Sequence, residues 1–497
     1  MNIAAFLEQT AKKYPRHKAI IFDDTVLSYK SFNEQVNKYA GFFLDSIKIR
    51  TGDHVGILLD NCPEYLFSVY ALWKIGAVVV PINRFLTQHE IEYIVNDSDM
   101  RFLISEETYS AHFKHLEQSC EKLDDIITLK SMQENAESFP CLFDSLDFPP
   151  QQPAVIIYTS GTTGKPKGAV LTHRNISSNA STCVNMIHII KSDRLLLILP
   201  MFHSFTFTVC MVMPVVRGAT IVALRSVKPF ARVLKCILLQ RVTIFIGIPK
   251  LYDILSEKKI PFFIKPFLRL RLFISGSAPL SVTSLERFKK NIGIILLEGY
   301  GLSEASPVVS LNPIDKEQKF GSIGLPIHDV EVKIVDDALN ELPAGEVGEL
   351  IVKGDNVMAG YYKKPEDTAA TIKDGWLLTG DMATKDADGY IYIVDRKKDM
   401  VLIQGMNVYP REIEEVILTH KAVAETAVIG AKDKRQGEML IAYITLKDGC
   451  VLTQQEILKY CKERLAIYKC PRKIVFLKEL PRSSVGKILK RELRASV

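Results

Sequence analysis

The sequence predicts an α/β protein with a large N-terminal domain of layered sheets and a small, mobile α+β C-terminal domain. Short apolar runs, which are typical of buried strands, alternate with helical segments from the start of the chain to about residue 325. This alternation indicates largely parallel sheets covered by helices. From 326 to 395 short strand patterns are separated by turns, which predicts a small β-rich subdomain. A length of 497 residues exceeds one ordinary core and favours at least two domains.

The predicted N-terminal domain, residues 1–395, divides into subdomains at 1–150, 151–325 and 326–395. The first opens with an amphipathic helix. Apolar runs predict strands in all three subdomains. They are Val55–Leu59, Ala77–Val80, Ala154–Tyr158, Arg194–Leu199, Thr220–Leu224, Val242–Ile248, Arg271–Ile274, Ile292–Leu297, Val330–Val335, Gly348–Val352 and Tyr390–Val394. A helix is predicted at Ser281–Lys290.

The charged stretch 396–400 is predicted to be a hinge, and residues 401–497 a C-terminal lid domain. The clearest helix of that domain is Thr453–Leu465, because Thr453 with Glu456 three residues later forms a capping-box pattern. A basic helix is predicted at Ile488–Arg494.

Composition limits the classes of function. The nine cysteines show no CxxC pair, and the first residues lack the order of a signal peptide, so we expect reduced thiols and a cytoplasmic protein. The net charge of +6 is carried by the last ninety-nine residues, which hold 18 Lys/Arg against 12 Asp/Glu. No basic patch interleaved with aromatic residues is present, so a nucleic-acid partner is not expected. The basic charge is instead predicted to meet phosphates in an active site.

One loop carries the strongest chemical signal. Residues Tyr158 to Gly168 read YTSGTTGKPKG, directly after an apolar strand pattern. Its glycines let backbone N–H groups approach an anion, while hydroxyls and two lysines add donors and positive charge. This combination predicts a nucleotide triphosphate site. It is not a Walker A loop, since Pro166 stands where that motif needs Ser or Thr.

The loop and seven later segments together resemble the adenylate-forming superfamily of acyl-CoA synthetases, aryl-CoA ligases, luciferases and adenylation domains. The segments, in the order in which that family has them, are LPMFHS (199–204), GSAP (276–279), EGYGLSE (298–304), GWLLTGD (375–381), DRKKD (395–399), NVYP (407–410) and PRSSVGK (481–487). The reaction that this resemblance implies joins a carboxylate to MgATP, releases pyrophosphate and transfers the acyl group to a thiol. Mg²⁺ is the implied cofactor, with ATP and CoA as co-substrates.

The resemblance also implies roles for individual residues. Lys487, Glu304 and Thr163 are the expected catalytic residues; Glu304 would hold Mg²⁺, and Lys487 would bridge the attacking carboxylate and the α-phosphate. The expected ATP-binding residues are Tyr158, Thr159, Ser160, Gly161, Thr162, Thr163, Gly164, Lys167, Glu298, Gly299, Tyr300, Ser303, Asp381, Arg396 and Lys487.

Further residues are implied for the hinge and for the other two substrates. Lys398 matches the hinge position, about which the C-terminal domain would rotate between half-reactions. Gln404 and Gly405 would face CoA, although some aryl-CoA ligases carry Lys at the positions of Leu402 and Gln404. The acyl pocket is expected at His203 and Ala278; the alternative for His203 is a core histidine.

The segment 195–224 favours an apolar acyl substrate, because it contains no Asp or Glu and an ammonium buried there would be uncompensated. We therefore expect a medium- or long-chain fatty acid:CoA ligase, with peripheral membrane association as one way to collect its substrate. The alternatives are an acyl–acyl-carrier-protein synthetase that docks an acidic carrier, an aryl- or other carboxylate:CoA ligase, and a non-catalytic relative. Retention of Glu304, Asp381 and Lys487 argues against the last.

Overall fold

The computed structural model describes residues 2–159, 165–257, 267–403, 406–433, 437–482 and 488–496. The α-helices of this part are α1 (Ala4–Lys13), α2 (Tyr29–Gly41), α3 (Pro63–Lys74), α4 (Gln88–Asp97), α5 (Phe113–Ser119), α6 (Leu129–Ala136), α7 (His173–Met186), α8 (Ser204–Thr206), α9 (Met213–Arg217), α10 (Phe230–Leu239), α11 (Pro249–Ser256), α12 (Val282–Asn291), α13 (Pro365–Thr371), α14 (Pro410–Leu418), α15 (Gln454–Lys462) and α16 (Lys490–Ala495). A π-helical segment, Phe207–Val212, joins α8 to α9.

The strands of the same part, in chain order, are β1 (Lys18–Phe22), β2 (Thr25–Ser28), β3 (His54–Leu58), β4 (Val78–Pro81), β5 (Phe102–Ser105), β6 (Asp125–Thr128), β7 (Pro153–Thr159), β8 (Lys167–Thr172), β9 (Arg194–Leu197), β10 (Thr220–Ala223), β11 (Ile244–Gly247), β12 (Leu272–Ser275), β13 (Ile295–Gly301), β14 (Val308–Leu311), β15 (Leu325–Pro326), β16 (Val330–Val335), β17 (Gly348–Gly354), β18 (Gly360–Tyr361), β19 (Ile372–Lys373), β20 (Trp376–Lys385), β21 (Ile391–Arg396), β22 (Val401–Ile403), β23 (Met406–Val408), β24 (Val423–Asp433), β25 (Gly437–Leu446) and β26 (Lys473–Phe476).

Two large sheets form the N-terminal part of the molecule. One has the strand order β18-β8-β7-β4-β3-β5-β6, and the other β15-β14-β13-β12-β11-β9-β10-β1-β2. The central strands of both are parallel, while β8, β18, β2, β14 and β15 are antiparallel additions. The predicted parallel α/β architecture is therefore confirmed.

Helix α3 contacts β7 of one large sheet and the π-helical segment Phe207–Val212. Its Trp73 indole donates to the carbonyl of Ala154 on β7 at 3.0 Å, and its Tyr70 hydroxyl donates to the carbonyl of Met211 at 3.2 Å. Nearly every side chain of α3 is buried in one apolar core that both sheets share. This explains why a helix without a clear polar face is stable here.

The remaining strands form smaller sheets. Strands β16, β17, β20 and β19, with β21 paired to β20, make an antiparallel sheet, and β24, β25 and β26 make a three-stranded sheet near the C-terminus. The C-terminal elements pack around their own apolar core, which includes Ile413, Val428, Ile457 and Ile474. A large N-terminal domain and a smaller C-terminal one therefore each have a core, as predicted.

The predicted elements are present, with ends shifted by a few residues. The strand expected at Ile292–Leu297 is β13, Ile295–Gly301, because the chain first turns at Gly293, whose φ of +73° favours glycine. The helix expected at Thr453–Leu465 is shorter, Gln454–Lys462, and Thr453 with Glu456 forms the predicted capping box. The helix expected at Ile488–Arg494 begins at Lys490.

Candidate active site

Glu304 lies in a short turn, Ser303–Ala305, that faces the end of the strand before the predicted phosphate loop. Its Oε1 atom accepts hydrogen bonds from the Thr159 hydroxyl at 3.3 Å and the Tyr361 hydroxyl at 3.0 Å. Thr159 is the last residue of β7, and Glu304 follows β13 in the other large sheet. The fold thus brings a carboxylate and a hydroxyl to the start of the loop. Such oxygen atoms are the ligands that Mg²⁺ prefers.

A second group of contacts surrounds Asp381. The Tyr300 hydroxyl donates to its Oδ2 at 2.5 Å, and the Arg396 Nε donates to its Oδ1 at 2.7 Å. Arg396 faces Asp381 because β20 and β21 pair these two residues directly. Burial, together with the Asp381 carboxylate, raises the pKa of Tyr300 well above its usual value, so the phenol stays a donor. The carboxylate is thereby held in one orientation.

Glu298 is a buried carboxyl group on the same strand as Tyr300. Its Oε1 accepts from the backbone N–H of Leu280 at 3.0 Å, and its Oε2 has no hydrogen-bond partner among the described residues. Burial raises the pKa of Glu298 to about 7. Next to it, a side chain on Gly299 would meet Leu311 at 2.9 Å, so the strands approach closely there.

Two residues that the sequence assigns to ATP have partners within the protein. The Tyr158 hydroxyl donates to Asp97 of α4 at 2.9 Å, and a Cβ atom on Gly168 would lie 3.2 Å from the Tyr158 ring. The Lys167 ammonium forms an ion pair with Asp367 and lies over the ring of Tyr361. A phosphate would have to compete with Asp367 for this lysine.

The acyl-pocket candidates lie on segments that contact one another. The ring of Phe205 lies 2.9 Å from where a side chain on Gly276 would begin, two residues before Ala278. The Ser204 and Ser303 hydroxyls are 3.0 Å apart, which joins the same segment to the Glu304 turn. His203 accepts the backbone N–H of Phe205 through Nδ1 at 3.3 Å and so caps the short helix α8.

The predicted hinge is bounded by polar contacts. The Lys397 ammonium contacts two carboxylates that precede the hinge in the chain: its Nζ lies 2.8 Å from Asp337 and 2.9 Å from Glu349. Asp395 accepts the backbone N–H of Arg411 at 2.8 Å, at the start of α14. Asp395 and Arg411 lie on opposite sides of Lys398 in the chain, so rotation at Lys398 would break the hydrogen bond between them.

Several predicted residues lie outside the described part of the chain. They are Ser160, Gly161, Thr162, Thr163 and Gly164 of the phosphate loop, Gln404 and Gly405 of the predicted CoA face, and Lys487.

Sequence reasoning missed Tyr361, Asp367 and Asp395 as partners of site residues. Tyr361 follows Gly360, whose φ of +142° is a backbone conformation that glycine adopts readily. The chain then places the Tyr361 hydroxyl against Glu304. The sequence signal was the run GYYKKPE, with its Gly and Pro punctuation. That run indicates a turn but does not say which carboxylate the tyrosine meets.

Comparisons with known proteins identify the family of this chain. Residues 7–362 match the family described as AMP-binding enzyme, and residues 412–487 match the AMP-binding enzyme C-terminal domain. A long-chain-fatty-acid–CoA ligase of Bacillus subtilis (strain 168) is 35% identical over 99% of this chain and 94% of its own length. A feruloyl-CoA synthase of Amycolatopsis sp. is 33% identical over 97% of this chain and 96% of its own. The ATP-bound crystal structure of MatB from Rhodopseudomonas palustris covers 100% of this chain and 98% of its own, with a TM-score of 0.94 and 29% identity.

The chain therefore belongs to the AMP-binding enzyme family, and the resemblance to adenylate-forming enzymes is confirmed. Within that superfamily it is an ATP-dependent ligase of the acyl-CoA class, with a carboxylate, ATP and CoA as substrates. In the described part of the chain, no helix is both long and apolar enough to span a bilayer.

Proposed function

We propose that the protein is a medium- or long-chain fatty acid:CoA ligase. The observation that carries this proposal is that residues 195–224, the segment that contains the acyl-pocket candidate His203, hold no acidic side chain. Leu199, Met201 and Phe202 of this segment are buried beside His203. A site of this kind suits an uncharged chain attached to a carboxylate. The relative from Bacillus subtilis bears the name of a long-chain-fatty-acid ligase, which supports the same choice.

The first half-reaction forms an acyl-adenylate. A substrate carboxylate oxygen attacks the α-phosphorus of ATP, a P–O bond forms, and the bond to the leaving pyrophosphate breaks. Both reactants are anions, so donors and positive charge must offset their repulsion. We assign the ribose hydroxyls to Asp381, which Tyr300 and Arg396 hold in place, and the contact with both reacting groups to Lys487.

Mg²⁺ fits the residues around the start of the phosphate loop. Glu304 would hold it through its carboxylate, with the Thr159 hydroxyl beside it at 3.3 Å. When bound, the ion neutralises charge on the triphosphate. Tyr361 donates to the same carboxylate oxygen and so fixes its direction.

The second half-reaction transfers the acyl group. The CoA thiol releases its proton to solvent and its sulfur attacks the carbonyl carbon of the adenylate. A C–S bond forms, and AMP leaves with the electrons of the broken C–O bond. We propose that rotation at Lys398 removes Lys487 and brings the face with Gln404 and Gly405 to the thiol. Such a rotation must separate Asp395 from the α14 N-terminus, so this contact belongs to one of two conformations.

The test is pyrophosphate release with carboxylates of increasing chain length and with benzoate and ferulate. Each acid is assayed with no acceptor, with CoA, and with purified acyl carrier protein. We expect the highest kcat/KM with acids of eight or more carbons and thioester formation with CoA. A preference for the aryl acids would refute the fatty-acid assignment, and acyl transfer to the carrier protein alone would refute CoA as acceptor.

A variant at Lys487 tests the division between half-reactions. Lys487→Ala should lose most pyrophosphate release, because the bridging ammonium is gone. Thioester formation from supplied acyl-adenylate should persist, since that step does not use this lysine. Equal loss of both steps would contradict two separate conformations.

A further inference from the structure

Two histidines and a glutamate, none of which is assigned to the ligase site, lie together on the surface of the N-terminal domain. The Glu92 Oε2 is 2.9 Å from His115 Nε2 and 3.5 Å from His89 Nδ1. One ligand atom from each of the three residues can be chosen so that all lie within 4.8 Å of one another. We propose that these three side chains form a binding site for a divalent first-row transition metal such as Zn²⁺.

The backbone holds the three residues in place. His89 and Glu92 are three residues apart on α4, so they project from the same face of the helix. A capping box between Thr87 and Glu90 fixes the first turn of α4, which carries His89. The site is thus built on a helix whose start is well defined.

The third residue comes from a second helix packed on the first. His115 lies on α5, and Leu116 beside it is buried in the same apolar cluster as Ile91 and Val95 of α4. This shared cluster fixes the distance between the helices. His115 and Glu92 are about two-thirds buried, with 32% and 27% of their side chains exposed, whereas His89 is 86% exposed. The exposed histidine can therefore adjust, while the other two are already in contact.

The chemistry selects the class of metal. Two imidazole nitrogens and one carboxylate oxygen suit Zn²⁺, Cu²⁺ or Ni²⁺, whereas Mg²⁺ prefers oxygen atoms only. A metal–nitrogen bond of about 2.0–2.1 Å places neighbouring ligand atoms about 3.3 Å apart in a tetrahedral site. The 2.9 and 3.5 Å separations bracket this value. The solvent-facing side would leave the fourth position to water.

The experiment is calorimetric titration of the chelator-treated, full-length protein with ZnCl₂, and separately with MgCl₂. The variants are His115→Ala and Glu92→Gln. His328→Ala is the matched control, because His328 is exposed, pairs with a single carboxylate, Asp329, and lies elsewhere. Circular dichroism and the adenylation rate with MgATP, in the absence of Zn²⁺, establish that each variant is folded.

We expect one equivalent of Zn²⁺ to bind to the wild type. Either site variant should weaken Zn²⁺ binding at least about tenfold, because loss of a residue that only hydrogen-bonds a metal ligand already lowers metal affinity by about that factor. The control should bind as the wild type does. Absence of binding at 100 µM Zn²⁺, or binding unchanged in His115→Ala, would overturn the proposal. So would a thiolate charge-transfer band when Co²⁺ replaces Zn²⁺, because it would place the metal on cysteine instead.

Discussion

Replacing Glu298 by Gln removes an ionisable group from the interior beside the candidate ATP site. The wild-type carboxyl is 5% exposed and has one oxygen without a hydrogen-bond partner among the described residues. Burial raises its pKa to about 7 from 4.5. The folded protein therefore binds this proton more tightly than the unfolded chain does. As a result, the free energy of unfolding falls as pH rises from 4.5 to 7. Above pH 7 the whole of this loss of stability is present.

The size of the effect follows from the difference between the two pKa values. At pH 8 the wild type should lose about 3 kcal/mol of stability relative to acid conditions through this one group. Gln keeps an oxygen that can accept from Leu280 and carries no titratable proton. The difference between Glu298→Gln and the wild type should therefore grow by about 2 kcal/mol between pH 5.5 and 8.5. For a domain of this size that corresponds to about 2–3 °C in melting temperature.

The assay is thermal unfolding of both proteins at a series of pH values from 5.5 to 8.5, at constant ionic strength. Glu346→Gln is the matched control, since this glutamate is exposed. The melting-temperature difference should rise with pH for Glu298→Gln and stay flat for the control. A constant or falling difference for Glu298→Gln would refute the reasoning, because it would mean that the buried carboxyl does not keep its proton to neutral pH.

Three further predictions concern the catalytic machinery. Tyr361→Phe removes the donor to Glu304 and should raise the Mg²⁺ concentration for half-maximal adenylation by about tenfold. The control Tyr362→Phe loses a hydroxyl directed at another carboxylate and should leave this concentration unchanged. Equal Mg²⁺ dependence of the two variants would argue that Tyr361 does not position Glu304. Asp381→Asn should weaken ATP binding at least about tenfold, because a charge-assisted hydrogen bond is lost, and an unchanged Kd for ATP measured by calorimetry would contradict the ribose assignment. Lys398→Pro fixes φ near −65°, so thioester formation should fall far more than single-turnover pyrophosphate release; an unchanged melting temperature with equal loss in both steps would exclude position 398 as the hinge.

The pattern of local elements could be read from the sequence. Alternating apolar runs and helical segments predicted the parallel sheets, and the pair Thr453 and Glu456 predicted a helix start that is present. The order of short motifs identified the superfamily, and the acid-free segment 195–224 favoured an apolar substrate. These features depend on neighbours in the chain, and local backbone preference and periodicity are sufficient to define them.

Contacts between distant parts of the chain were decided only by the tertiary structure. Nothing near Glu304 in the sequence shows that Tyr361 donates to it, or that Thr159 from the other sheet does the same. Likewise His115 meets His89 and Glu92 only because two short helices share an apolar cluster. The physical reason is that strand order and helix packing, which follow from burial of the whole core, determine which polar side chains meet.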